Sequence, residues 1–219
     1  MGSANDELIE LPLFPLNLVL FPGMPLPLHI FEERYKAMIG DCMSNNMPFG
    51  VSLIRSGQEV GSPAEPFATG TTARVLRSEL LEQGRMNILT KGERRYEIIE
   101  ITQQEPHVAA LVKLLGEPVG EGFTGVSAEL TEEYARLIRG LTTLSGGYMS
   151  DVTIPEDPVE LSYMIAANLD APTPLRQELL EVPTAADRLN RLIPLLRRRN
   201  HALQEEIERR NPFRGPRLN

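Results

Sequence analysis

Few side chains in this sequence have the type and spacing that nucleophilic catalysis requires. Ser145 lies beside two glycines in LSGGYMSD, where a serine nucleophile could be exposed. A small residue followed by glycine at the end of a predicted helix is, however, typical of a helix C-cap. No G-x-S-x-G motif, which would hold a serine on a strand–helix turn, is present. We therefore interpret Ser145 as a capping residue.

The candidate metal ligands are scattered. His29, His107 and His201 lie in three different predicted elements, and no H-E-x-x-H motif occurs. Cys42 is the only cysteine, so an internal disulfide and a two-cysteine zinc site are both excluded. The sequence therefore predicts no metal site, and the single cysteine favours a reducing compartment.

A phosphate-binding loop is also absent. No G-x-x-x-x-G-K-[ST] motif is available to present backbone N–H groups to a nucleotide. The glycine-rich stretch GEPVGEGFTG contains Pro118 and glutamates that would repel a pyrophosphate. We interpret residues 118–126 as a linker, and we expect neither a nucleotide cofactor nor an enzymatic activity.

Charge is distributed unevenly along the chain. The formal net charge is −8, yet residues 186–219 contain nine basic and four acidic residues. The acidic remainder disfavours nucleic acid and anionic membranes as partners. The basic end has two interpretations: an RNA-binding helix, or arginines that complement a helix dipole and pair with the acidic body. No aromatic residue is interleaved with these arginines to stack on bases, which favours the second interpretation.

The N-terminal segment has no basic and apolar stretches of the kind that form a signal peptide. No run approaches the roughly 20 apolar residues that a membrane-spanning helix needs. We therefore expect a soluble, cytoplasmic protein.

The first half of the chain has the pattern of a β-rich domain with one helix. An apolar stripe at helical spacing predicts about three turns of helix, with these residues on its buried side: Phe31, Tyr35, Met38, Ile39 and Cys42. The runs FGVSLI, FATGTTARVLR and VAALVKLL predict strands. GRMNILTKGERRYEIIEI predicts a hairpin that turns at KGE. Short strands in series favour a small barrel.

After residue 126 the apolar period becomes helical, and four helices are predicted. The first has an apolar stripe that begins with Leu130, Tyr134 and Leu137. The other three start at capping signals: Asp157 with Pro158, Thr173 with Pro174, and Thr184 with Asp187. The last helix is long, and Pro194 is expected to kink it.

The proline-rich stretch LPLFPLNLVLFPGMPLPLHIFEERYKAMI is the most specific motif. Together with PFGVSLIRSGQEVG, GTTARV and GRMNILTKGERRYEI, it closely resembles the N-terminal substrate-recognition domain of Lon proteases in its stand-alone bacterial form. The resemblance covers residues 8–205 and implies an α+β fold. Residues 1–117 would form a PUA-like β-barrel with one inserted helix, and residues 118–219 a helical bundle that ends in a long helix. The prolines would then lie at strand starts and edges, where no backbone donor is needed.

The resemblance implies a non-enzymatic module that binds unfolded or tagged polypeptides, or a partner protein. The ATPase and Ser/Lys peptidase modules of Lon proteases have no counterpart here. A client segment could join a barrel edge or lie in a cleft between barrel and bundle. The residues that we assign to binding are Met24, Leu26, Met43, Met47 and Phe49, for which burial in the core is the alternative. The other functional hypothesis is RNA binding through the basic C-terminal helix.

Overall fold

The computed structural model describes residues 7–61, 64–121, 123–126, 128–148 and 152–210. These residues form seven strands and five α-helices, which confirms the predicted α+β class. Their contacts divide the chain into two compact units. The barrel unit comprises Met1–Glu117 and Ala171–Val182, and the helical unit comprises Pro118–Asp170 and Pro183–Asn219.

All seven strands lie in the barrel unit. They are β1 (Leu8–Leu16), β2 (Pro25–Ile30), β3 (Phe49–Ser56), β4 (Glu65–Pro66), β5 (Thr69–Leu80), β6 (Met86–Gln103) and β7 (Ala109–Leu114). The helices of this unit are α1 (Glu33–Ser44) and α4 (Thr173–Glu181). The helical unit contains α2 (Ala128–Leu144), α3 (Pro158–Asn168) and α5 (Ala185–Arg210).

The strand pairings close into a ring. Its order is β1–β7–β6–β5–β3, and a parallel pairing of residues 13–16 with residues 50–53 joins β1 to β3. Among the described strands, β2 pairs with β6 alone. Pro25 and Pro27 therefore occupy an edge strand, where a missing backbone donor is tolerated. The proline-rich opening thus supplies two strands of the barrel unit.

The predicted hairpin at KGE is wrong, because these residues belong to β6. The segment is a single 18-residue strand, and Lys91, Gly92 and Glu93 lie inside it. A Cβ atom at Gly92 would be 2.4 Å from the carbonyl oxygen of Phe21, so glycine permits two backbones to approach closely and does not form a turn. The hairpin instead joins β5 to β6 through the short 3-10 turn Glu82–Gly84.

α1 packs into the barrel core through its predicted apolar stripe. The buried members of the stripe are Tyr35, Met38, Ile39 and Cys42. The aromatic rings of Phe14 and Tyr35 lie 4.1 Å apart in this core. Phe31 is the exception: it precedes the first turn of α1, and its side chain is exposed.

A buried arginine of β6, Arg95, holds α4 on the barrel unit. Its side chain is only 2% exposed. Nη1 donates to the carbonyl oxygens of Leu180 at 2.7 Å and Val182 at 2.8 Å, at the end of α4. Nε and Nη2 donate to the two carboxylate oxygens of Glu117, at 2.8 and 3.1 Å. Since a buried guanidinium must have its donors paired, these bonds fix the end of α4 against β6.

Capping residues start two helices of the helical unit as predicted. The Asp157 carboxylate accepts hydrogen bonds from the backbone N–H groups two and three residues later, at 3.2 and 3.3 Å. Thr184 Oγ1 accepts from the N–H of Asp187 at 3.1 Å, and α5 then continues through Pro194 to Arg210. None of the described helices has the length and apolar character needed to cross a membrane.

We expect Arg95→Ala to lower the free energy of unfolding by about 3 kcal/mol, because it leaves Glu117 and two carbonyl groups without their buried partner. The control is Arg94→Ala, which removes an exposed pair with Glu7 and should cost less than about 1 kcal/mol. Urea unfolding followed by circular dichroism measures both values. Equal losses in the two variants would contradict the anchoring role of Arg95.

Candidate functional site

The five residues assigned to polypeptide binding do not form one surface. Leu26 is 5% exposed and Phe49 is fully buried, and both belong to the core cluster that packs around α1. Their side chains therefore present almost no area to a ligand, which corrects their assignment to a binding surface.

Met24 is partly buried and is in contact with α4. Its sulfur lies 3.8 Å from Nη2 of Arg176, which also lies 3.5 Å from the carbonyl oxygen of Val19. The methionine side chain packs against the same core cluster as Leu26. Much of its surface is thus covered within the barrel unit.

Met43 and Met47 are exposed, by 40% and 46%. They lie where α1 ends, on either side of Asn46, which has a left-handed backbone with φ of 51°. The N–H of Met47 donates to the carbonyl oxygen of Cys42 at 2.8 Å and closes this last turn. The C-cap geometry therefore places both methionines at the surface.

Both methionines line a groove between the end of α1 and β5, which we call the α1–β5 groove. Its volume is about 210 Å³, and its walls are residues 42, 43, 46 and 47 on one side and residues 74–78 of β5 on the other. Met47 also lines a neighbouring hollow of about 200 Å³ with Pro12 and His107. Met47 thus separates two concave surfaces of the barrel unit.

The β5 wall of this groove is the edge of the sheet. β3 pairs with β5 only between residues 49–51 and 71–73, whereas β6 pairs with β5 as far as Leu80. Residues 74–80 therefore have no strand partner on their second side within the described part of the chain. The pairing stops because Pro48, just before β3, has no N–H group, and the preceding residues belong to the end of α1.

Leu76 and Arg77 on this edge are not among the predicted site residues. Leu76 is 59% exposed and is the extra residue of a β-bulge between Val75 and Arg77. Arg77 is exposed, and among the described residues it has no ion-pair partner. The sequence contains one signal for this edge. The predicted strand FATGTTARVLR is longer than the predicted strand FGVSLI, so FGVSLI cannot pair with all of it.

The electrostatic environment of the groove disfavours thiol chemistry. Burial, and to a smaller extent the neighbouring Asp41 carboxylate, raise the pKa of the Cys42 thiol to about 11. The thiol is therefore protonated at neutral pH, and its Sγ lies 3.9 Å from the carbonyl oxygen of Pro48. Burial also lowers the pKa of His107 in the neighbouring hollow.

The other candidate catalytic and metal-binding residues have structural contacts. Ser145 Oγ donates to the carbonyl oxygen of Leu141 at 3.1 Å, which fits a capping role at the end of α2. His29 Nδ1 lies 2.8 Å from Oδ1 of Asn87 across β2 and β6. In the described part of the chain, no three His, Cys, Asp or Glu side chains are grouped closely enough to hold a metal ion.

The arginines of α5 are largely engaged with other groups. Arg188 is fully buried and donates to Ser162 Oγ at 2.6 Å and to the Tyr163 hydroxyl at 2.9 Å. Arg197 pairs with Glu129, Arg199 with Asp170, and Arg210 with Glu206. These contacts support the interpretation that the basic segment stabilises the helical unit.

The fold and the groove define the class of this protein: an α+β chain with a closed ring of strands, a helical unit, and a groove that exposes two methionines beside a strand edge left unpaired by the described residues. Residues 10–198 match the family described as the ATP-dependent protease La (LON) substrate-binding domain. The chain belongs to this family.

Solved structures and curated proteins agree with this assignment. The Lon N-terminal domain protein from Xanthomonas campestris aligns with a TM-score of 0.66 and 25% identity, over 85% of this chain and 98% of that chain. The N-terminal domain of Mycobacterium avium complex Lon protease, 17% identical, supports the fold with a TM-score of 0.56, over 86% of this chain and 98% of that chain. Lon protease 2 of Myxococcus xanthus is 27% identical over 93% of this chain and 25% of that protein. The chain thus spans about a quarter of the length of the curated relatives that it matches.

We expect Cys42 in the native protein to react with Ellman's reagent at neutral pH at least about 100-fold more slowly than glutathione, because its raised pKa leaves little thiolate. The rate should increase as the pH approaches 11, the approximate pKa of this thiol. Labelling in guanidinium chloride is the control and should quickly modify one thiol per chain. Rapid labelling of the native protein at neutral pH would show that the thiol is accessible and ionised.

Proposed function

We propose that this chain is a non-enzymatic recognition module that binds unfolded or tagged polypeptides, or a partner protein, at the α1–β5 groove. The observation that carries the proposal is the exposed pair Met43 and Met47 beside a strand edge that no other described strand pairs with. Membership of a family described as a substrate-binding domain supports a binding role.

The groove has the size and chemistry for polypeptide side chains. Its volume of about 210 Å³ is below the roughly 300–1,000 Å³ of typical small-molecule sites, so a cofactor or drug-sized ligand fits it poorly. Methionine side chains are flexible and polarisable, and they adapt to apolar groups of different shape. These properties suit a surface that must accept many different segments of unfolded chain.

The groove also lacks an activated catalytic group among its described residues. Cys42 is held as a thiol by its raised pKa, and Arg74 is engaged with Glu93 at 2.6 Å and with the carbonyl oxygen of Asn46 at 2.8 Å. Neither side chain is prepared to act as a nucleophile or a base. This favours binding without chemical conversion of the client.

We expect the double substitution Met43→Lys and Met47→Lys to weaken the binding of an unfolded polypeptide by about tenfold, because two charged side chains replace apolar contact area. The probe is fluorescently labelled, reduced and carboxymethylated lactalbumin, and fluorescence anisotropy gives the dissociation constant. The melting temperature should change little, since both side chains are exposed.

The control is Ile99→Lys, which places one lysine charge on an exposed apolar residue of β6 outside the groove. Its affinity for the labelled polypeptide should equal that of the wild type. Loss of affinity in this control alone, or no binding by the wild type at any ionic strength, would refute the proposal. Binding of RNA with a steep salt dependence, and no binding of the polypeptide, would favour the RNA hypothesis.

A further inference from the structure

We propose that the client segment binds as an added β-strand along residues 74–80 of β5, and that the preferred segment has one acidic residue between two apolar residues. This inference rests on the proposed function, because it specifies how the α1–β5 groove would hold a polypeptide. It identifies Arg77 as the residue that selects among clients.

The backbone of this edge is suited to accept a strand. On one side, β5 pairs with β6 from Thr69 to Leu80. On the other side, the described pairing with β3 ends at Ala73. Within these seven residues, those whose N–H and C=O groups point away from β6 offer backbone donors and acceptors in an extended conformation, and an extended segment can satisfy them without a change in the fold.

The two faces of the edge differ in chemistry. Ser78 pairs with Ile88, which is buried in the core, so Ser78 lies on the core-facing side of the strand. The exposed methionines of the groove lie on this side. Arg77 pairs with Leu89, an exposed residue, and therefore lies on the outer side of the strand, at the rim of the groove that it helps to line. Neighbouring residues of an added strand alternate between these faces, so an apolar residue in the groove is followed by one beside Arg77.

Charge determines the residue that fits on the outer side. Arg74 already pairs with Glu93, whereas Arg77 has no ion-pair partner among the described residues. A client carboxylate opposite Arg77 would supply one. Glu79 lies two residues further on the same strand, so a second client carboxylate two positions along would be repelled. The edge therefore favours a single acidic residue and disfavours an acidic run.

The test uses short, labelled, unstructured peptides with a three-residue segment at their centre. This segment is valine–aspartate–valine, valine–asparagine–valine or valine–lysine–valine, so the peptides differ only at its middle residue. The wild-type chain should bind the aspartate peptide about two- to fivefold more tightly than the asparagine peptide at low ionic strength, and the lysine peptide most weakly. In Arg77→Glu this order should reverse. The control Arg55→Glu makes the same charge change at an exposed residue of β3 and should keep the wild-type order.

Backbone pairing is tested with two N-methylated forms of the aspartate peptide, each blocked at alternate amides. An added strand directs only alternate N–H groups to β5. One form should therefore lose about tenfold or more in affinity, while the other binds nearly as well as the unmodified peptide.

The outcomes separate this inference from the proposed function. If the wild type binds unfolded lactalbumin and the methionine variant does not, but peptide charge and N-methylation have no effect, strand addition is wrong and the groove remains the binding site. If the wild type binds neither lactalbumin nor any peptide, the proposed function itself fails. A dimer in sedimentation experiments that Arg77→Glu dissociates would show that a second copy occupies the edge, and it would overturn the inference.

Discussion

The barrel unit depends on the buried guanidinium of Arg95. Four of its hydrogen bonds, to Glu117 and to the carbonyl groups of Leu180 and Val182, join a strand to a helix that follows it by about 80 residues in the sequence. A buried cation that lost these partners would carry a large desolvation penalty, so separation of the helix from the strand is energetically unfavourable. This interaction gives the barrel unit a segment from the second half of the chain.

The position of α4 in turn determines which apolar residues remain available at the surface. Gln177 of α4 donates to the carbonyl oxygen of Thr69 at 3.1 Å, and the Arg176 guanidinium lies 5.1 Å from the centre of the Phe21 ring. Arg176 also contacts the sulfur of Met24. Met24 is thereby engaged within the barrel unit, whereas the methionines at the end of α1 are exposed.

Local signals in the sequence predicted local structure well, and long-range contacts limited the rest. The caps at Asp157 and Thr184 and the buried stripe of α1 depend on neighbours within a few residues, and all three are confirmed except for Phe31, which is exposed. Gly92 looked like a turn residue, but its role is to let β6 approach the backbone of Phe21, a contact that no local pattern contains. The start of α4 also differs from the prediction by one residue. Thr173 is the first residue of the helix, and the preceding Pro172 occupies the N-cap position that the sequence assigns to Thr173. The association of α4 with the barrel unit depends on Arg95, which is unremarkable in the sequence.

The sequence could predict only one part of the candidate site, the two methionines whose exposure follows from their position at the end of α1. Residue type and proximity grouped Leu26 and Phe49 with the methionines, but strand alternation directs these two side chains into the core. The free edge of β5 was not predictable, because it arises from a difference in length between two strands that are distant in sequence. An exposed edge invites indiscriminate pairing, and natural sheets limit this with charges and bulges. Here Arg74, Arg77 and the bulge at Leu76 do so, and the same features would give the edge selectivity: a segment must match its charge and its interrupted register before it can pair.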